Sequence, residues 1–213
     1  KAKGFLLSKP VYIDTETTGF KPDDEIVDIS IVDYDGTVLF NSLIKPKKKI
    51  PIDATNIHHI TNEMVTYAPS WFDAWFVINQ KLSGRVLGIY NEEYDVRLMK
   101  QSTEKWGINW NPAYKKSFCV MKLFADFYGE WDDYHGNYKW QKLEFAGKFF
   151  DINIPNSHRA KDDTLLTREV LILISGNNEL KHKVKNSNAE IAREFVINVL
   201  IKEINFNNLG YVY

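Results

Sequence analysis

Two hydrophobic rhythms run along the chain. β-branched and apolar runs with polar interruptions mark strands at residues 10–14, 25–33 and 37–44, the last two joined by the turn YDGT, Tyr34 to Thr37. A lysine-rich loop and a mixed stretch, NIHHITNEMVTYAPS, come next. Ser70 then reads as the cap of a helix from Trp71 to about Leu82. RVLGIY, Arg85 to Tyr90, reads as a buried strand. Asn91 follows as a helix cap, with Glu92 and Glu93 in a first turn where the helix dipole favours negative charge. That helix runs to about Trp106, and SFCVM supplies a fifth strand. A short helix, an aromatic loop (GEWDDYHGNYKW), a helix over about 141–150, the loop INIPNSH and a helix over about 159–174 complete the unit. Three strands in a meander, then alternating helices and strands, predict an α/β fold with a mixed sheet of about five strands flanked by helices. This unit takes residues 1–175; residues 176–213 are an extension made of a polar linker, within SGNNELKHKVKN, and a C-terminal helix. Ser187 and Glu190 have capping-box spacing at the start of a final amphipathic helix.

Composition narrows the classes. The 213 residues suit one sizeable domain with a small appendage, and a hydrophobic share of 44% is ordinary for a globular chain. No apolar run reaches the roughly 18 residues of a membrane span, and no secretory signal pattern is seen. The chain opens at Lys1 without a methionine, which suggests a piece trimmed from something longer. A net charge of −1 argues against a global electrostatic grip on nucleic acid but allows a local one. Lysines cluster at Lys45 and Lys47 to Lys49, at Lys115 and Lys116, and at Lys181, Lys183 and Lys185. Cys119, the only cysteine, lies in an apolar run and reads as a buried, inert thiol. Disulfides and cysteine-based zinc sites are thereby excluded, and a reducing cytoplasmic setting fits.

Four acids disturb the pattern. In VYIDTETTGF, Asp14 and Glu16 are two residues apart on a strand and so point to one face. Asp95 shares its side of a helix with Leu98 and Met99. Ala160, Asp163, Leu166, Val170 and Leu173 form one helix face, which turns Asp163 inward. Asp162 groups with Leu165 and Glu169 on a side read as more exposed. His158 falls on the loop entering that helix, where it could lean over whatever Asp163 binds. Taken alone, Asp14 and Glu16 could be a strand-end turn and a surface ion pair, Asp95 a first-turn dipole partner, and His158 a structural residue. Inward carboxylates can be accommodated by protonation, by pairing with Arg or Lys, or by a divalent cation. Oxygen-only ligands suit Mg²⁺ or Mn²⁺, and two ions about 4 Å apart would clamp both oxygens of a phosphoryl transfer. Histidine titrates near neutrality as a residue type and could take a proton from the attacking water. The conjunction points to a metal cradle.

DTETTG (Asp14 to Gly19), NEEYD (Asn91 to Asp95) and HRAKDD (His158 to Asp163) resemble the three exonuclease motifs of the DEDDh family, in order and approximate spacing over residues 9 to 175. This family includes the proofreading epsilon subunit of bacterial DNA polymerase III, exonuclease X and RNase T. IHHITNEMVTYAP resembles the segment beside its active site, and CVMKL and KWQKLEFAGKFF resemble a bacterial and phage-borne subgroup close to exonuclease X. The resemblance implies a ribonuclease H-like fold and 3′-to-5′ cleavage that releases nucleoside 5′-monophosphates, in repair, proofreading, phage replication or defence. It also implies roles for individual residues. Asp14, Glu16 and Asp163 would hold one Mg²⁺ or Mn²⁺, Asp14 would bridge to a second, and Asp95 would help through water. His158 would be the general base. Thr15, Thr17, His58, Tyr90, Asn91 and Tyr94 would line the pocket for the terminal nucleotide. Tyr90 stands where the family often has histidine, Glu92 where a small residue is common, and His59 where glycine is common. These departures concern the substrate groove, not the metal ligands. The expected substrate is DNA, as single strands or frayed 3′ ends, with Trp131, Tyr134, His135, Tyr138 and Trp140 available to stack on bases. RNA trimming is an alternative. Another is a subunit that docks a polymerase or other protein through Ile191, Phe195 and Val199.

Overall fold

The computed structural model describes residues 1–154 and 158–176; the final helix expected from Ser187, with its docking stripe, lies outside the described residues. The strands are β1 (Val11–Thr17), β2 (Ile26–Val32), β3 (Val38–Leu43), β4 (Val86–Ile89) and β5 (Lys116–Cys119). They form one sheet in the order β3-β2-β1-β4-β5. β1, β2 and β3 are antiparallel neighbours, while β4 runs parallel to β1 and β5 parallel to β4. This is the expected mixed five-stranded sheet, with β1 at its centre.

Central placement explains why β1 outruns the expected 10–14. The polar residues Thr15, Glu16 and Thr17 look like a strand end, yet β2 pairs with them as far as Thr17, with a register irregularity between Glu16 and Thr17. SFCVM shows the opposite error. β5 stops at Cys119, and Val120 and Met121 open the helix α5 (Val120–Tyr128). Cys119 is buried as expected, its thiol donating to the Tyr90 carbonyl at 3.1 Å.

Helices cover both faces. On one side α3 (Trp71–Leu82) and α4 (Glu92–Lys105) pack Trp71, Trp75, Ile78, Leu98 and Met99 against Val11, Ile13, Ile29 and Ile31. Ser70 caps α3 in a full capping box with Asp73. On the other side α7 (Ala160–Ile174) lies across β1 and β2 and is covered in turn by α1 (Ala2–Leu7), α5 and α6 (Leu143–Phe149). That enclosure overturns the exposed side expected for Glu169, which is only 2% exposed and pairs with its neighbour Arg168. Arg168 Nε also donates to the Tyr34 carbonyl at 2.9 Å, so the helix keeps charge inside by pairing it.

Four short elements were not foreseen. α1 and α2 (Ile52–His58) span six and seven residues, too few for a helical period to stand out. Inside the aromatic loop, β6 (Trp131–Asp132) and β7 (Asn137–Tyr138) make a small hairpin, with Trp131 edge-on to Tyr138 at 5.3 Å.

Candidate active site

The site forms where the end of β1 meets the first turns of α4 and α7. Strand alternation sends Asp14 and Glu16 to the α7 face, and the start of α7 brings Asp163 to meet them. Ligand oxygens of Asp14, Glu16 and Asp163 all lie within 4.8 Å of one another. Thr15 points to the opposite face and donates its hydroxyl to Asp95 Oδ1 at 2.8 Å, steadying an acid that arrives from α4. All four expected carboxylates therefore border one cleft of about 560 Å³, together with Tyr90, Asn91, Tyr94 and His158. His158 is exposed and holds a left-handed backbone, φ +47°, in the loop before α7.

Crowding shows in the proton affinities. Burial, then the charges of Asp95, Asp163 and Glu16, push Asp14 well above the carboxylate range. Burial, then Asp163 and Asp28, push Glu16 up to about 9. Burial raises Asp95 to about 7, against the opposing pull of the Thr15 hydrogen bond. Burial and the neighbouring Asp162 raise Asp163 to about 7. Asp163 Oδ1 is buried without a hydrogen-bond partner among the described residues, an orphan acceptor that an oxygen-seeking cation would satisfy. A hard divalent ion fits this all-oxygen donor set.

A second lobe of about 570 Å³ adjoins the first, sharing Thr15, Glu16, Phe20 and Tyr94 as walls. Its geometry turns on Gly19. The Tyr94 hydroxyl donates to the Gly19 carbonyl at 3.1 Å and lies 2.7 Å from Thr17 Oγ1, which also donates to Gly19 O at 2.9 Å. Gly19 has φ +149°, and a Cβ there would come within 2.7 Å of Asp24 Oδ2, so no larger residue fits this turn without displacing Asp24. His58 is buried beneath it. Its Nδ1 accepts the Ile60 amide at 3.0 Å, so its Nε2 carries the hydrogen that faces the Thr17 carbonyl at 3.2 Å. Burial lowers its pKa, which favours this neutral form. His58 thus supports the backbone of Thr17 from below.

Tyr90 is likewise buried, its hydroxyl donating to the Gln141 carbonyl at 3.0 Å and tying β4 to the segment that precedes α6. Asn91 occupies the N-cap position of α4, but its side chain makes no capping bond and is exposed at the cleft wall. Of the aromatics proposed for stacking, Trp140 lines the cleft, with the Lys122 ammonium 5.5 Å from its ring centre. Tyr134 is 91% exposed, and His135 bonds Asp132 at 2.8 Å. Two charged residues went unnoticed in the sequence. Asp28, 2% exposed, lies opposite Glu16 in the β1–β2 register and receives Arg159 Nε at 2.9 Å. The available signal was an aspartate in an otherwise apolar strand, IVDISIV.

Comparisons with known proteins show the family to which the chain belongs. A family model described as exonuclease, of the RNase T type, matches residues 11–171. An uncharacterised exonuclease, CP81, of Escherichia phage 186 is 38% identical over 177 residues, covering 80% of this chain and 90% of that protein. The DNA polymerase III epsilon subunit of Treponema pallidum (strain Nichols) is 28% identical over 162 residues, 74% of this chain and 72% of that one. Among solved structures, exonuclease X in complex with 5′ overhanging duplex DNA superposes with a TM-score of 0.59 at 26% identity, covering 79% of this chain and 92% of that one.

Proposed function

From the premise that the chain belongs to the exonuclease family and is a 3′-to-5′ exonuclease of the DEDDh type, we propose that it degrades DNA from single-stranded or frayed 3′ ends by a two-metal hydrolysis with His158 as general base. The observation that supports this most directly is the meeting of Asp14, Glu16 and Asp163 within 4.8 Å on a cleft that His158 also borders.

In this reading Asp14, Glu16 and Asp163 would hold one Mg²⁺ or Mn²⁺, with Asp14 and Asp95, the latter braced by Thr15, available to help hold a second. Bound there, such ions supply Lewis-acid stabilisation of charge on the phosphate and on the attacking and departing oxygens. His158, exposed on its loop, accepts a proton from the attacking water and has free exchange with solvent to lose it again. Thr17 and Tyr94, locked onto Gly19, shape the wall against which the terminal nucleotide rests, with Asn91 opposite and His58 and Tyr90 behind. Trp140 offers a face for an unpaired base. The product is a nucleoside 5′-monophosphate. Similarity to a phage exonuclease supports a bacterial or phage-encoded setting in the cytoplasm. Similarity to an epsilon subunit leaves room for a polymerase partner. Among the described residues no helix is long and apolar enough to cross a membrane.

The test uses 5′-labelled single-stranded DNA, duplex DNA and single-stranded RNA, each with Mg²⁺, Mn²⁺ or EDTA, beside Asp163→Ala and His158→Ala. A metal-dependent ladder on DNA, shortening from the 3′ end and lost in both variants, is expected. Preference for RNA would replace the substrate assignment. Full activity in His158→Ala would remove the general base. A folded, metal-binding protein that cuts nothing alone would favour dependence on a protein partner.

A further inference from the structure

α7 begins without a cap of its own. Its N-cap residue is Arg159, whose side chain makes no capping bond, while the first turn of any helix leaves amides to be satisfied. Asp28 of β2 supplies an acceptor from across the sheet. Its carboxylate accepts the Arg159 Nε at 2.9 Å, and the nearby Ala160 amide favours its charged form. Asp28 also stands opposite Glu16, where one like charge facing another costs free energy. The Arg159 guanidinium offsets that repulsion. One buried carboxylate therefore joins three things: the strand beside Asp14 and Glu16, the residue following His158, and the helical turn that carries Asp163. His158 itself has a backbone conformation that a non-glycine residue rarely adopts, φ +47°, and Arg159 is the next residue along the chain.

We propose that the Asp28–Arg159 pair is a positioning device that sets His158 and Asp163 against the Asp14–Glu16 pair without itself touching substrate. The proposal rests on the roles given above to His158 and Asp163.

Calorimetric titration of Mn²⁺ into metal-free protein tests it, because charge alone and positioning predict opposite signs. Arg159→Ala removes a positive charge close to Glu16, which by charge alone would tighten cation binding. A loosened Asp163 would weaken it. We expect binding weaker by about tenfold in Arg159→Ala, the scale typical of residues that orient metal ligands, with partial recovery in Arg159→Lys. Unchanged or tighter binding by Arg159→Ala overturns the proposal. On single-stranded DNA with Mn²⁺ saturating for every variant, so that weaker metal binding is made up, Arg159→Ala should lower kcat by about tenfold with KM within about twofold, and should add no further loss to His158→Ala. A raised KM with intact kcat would make Arg159 a substrate contact, and multiplicative losses in the double variant would make the pair merely structural; either result overturns the proposal. The Mn²⁺ titration does not depend on catalysis. A protein that bound Mn²⁺ in the predicted order yet cut no nucleic acid would sink the functional reading and leave this one standing.

Discussion

At the scale of single residues, Asp163 is under opposed demands. Its Oδ1, unpartnered among the described residues, and its elevated pKa mean that the metal-free fold holds this carboxylate at a cost. Asp163→Asn keeps the shape, removes the charge and adds a donor facing Asp14 and Glu16. Nuclease activity should fall by about 10²-fold or more if Asp163 is the metal ligand proposed above. Stability in EDTA should rise by about 1 kcal/mol, a gain of about 2–4 °C in Tm, readable by scanning calorimetry. The inward turn of Asp163 was legible in the sequence from its helical stripe, but the same logic failed for Glu169. The stripe argument assumes one covered face, and α7 is covered on nearly all sides. Asp28 was not legible because its meaning depends on a partner, Arg159, supplied by a residue 131 positions away.

At the scale of elements, turns and close approaches decide what each strand and helix tolerates. Gly88 in β4 lies where a Cβ would stand 2.9 Å from Phe118 and 3.0 Å from Tyr12, both ring atoms held in the core. Gly88→Ala should cost about 1–3 kcal/mol in urea unfolding, the usual range for an overfilled core. His59 is the reverse case. It ends α2 in the left-handed conformation, φ +60°, at an exposed site where related chains are expected to carry glycine. His59→Gly should therefore stabilise the protein by up to about 1 kcal/mol, and a drop in the urea midpoint would contradict this account. The five strands were legible because their apolar runs are bounded by turn chemistry. The ends of β1 and β5 were not. Hydrogen bonding to neighbours extends β1 through polar residues, and an apolar run does not show where β5 yields to α5.

At the scale of the whole molecule, the site couples stability to protons and cations. Asp95 and Asp163 at about 7 and Glu16 at about 9 exceed the ordinary carboxylate values near 4. The folded state then binds more protons than the unfolded state between those limits. Metal-free stability should therefore decline as pH rises from about 4 toward 9, the reverse of a protein stabilised by paired carboxylates. Mn²⁺ should raise Tm more at pH 8.5 than at pH 6, with protons released on binding; equal shifts at both pH values would contradict the raised affinities. The conjunction of acids was readable in the sequence, whereas their proton affinities were not, because these depend on distances that only the folded chain defines. Asp14 and Asp163, whose oxygens meet in the site, come from the first strand and the last described helix. A cation shared between them would act as a removable cross-link closing a very long loop, and such a late-forming contact resists opening more than it speeds closure. Stopped-flow experiments should find slower unfolding with Mn²⁺ and a nearly unchanged refolding rate, so that a chelator acts on this fold much as a reductant acts on a disulfide-bonded one.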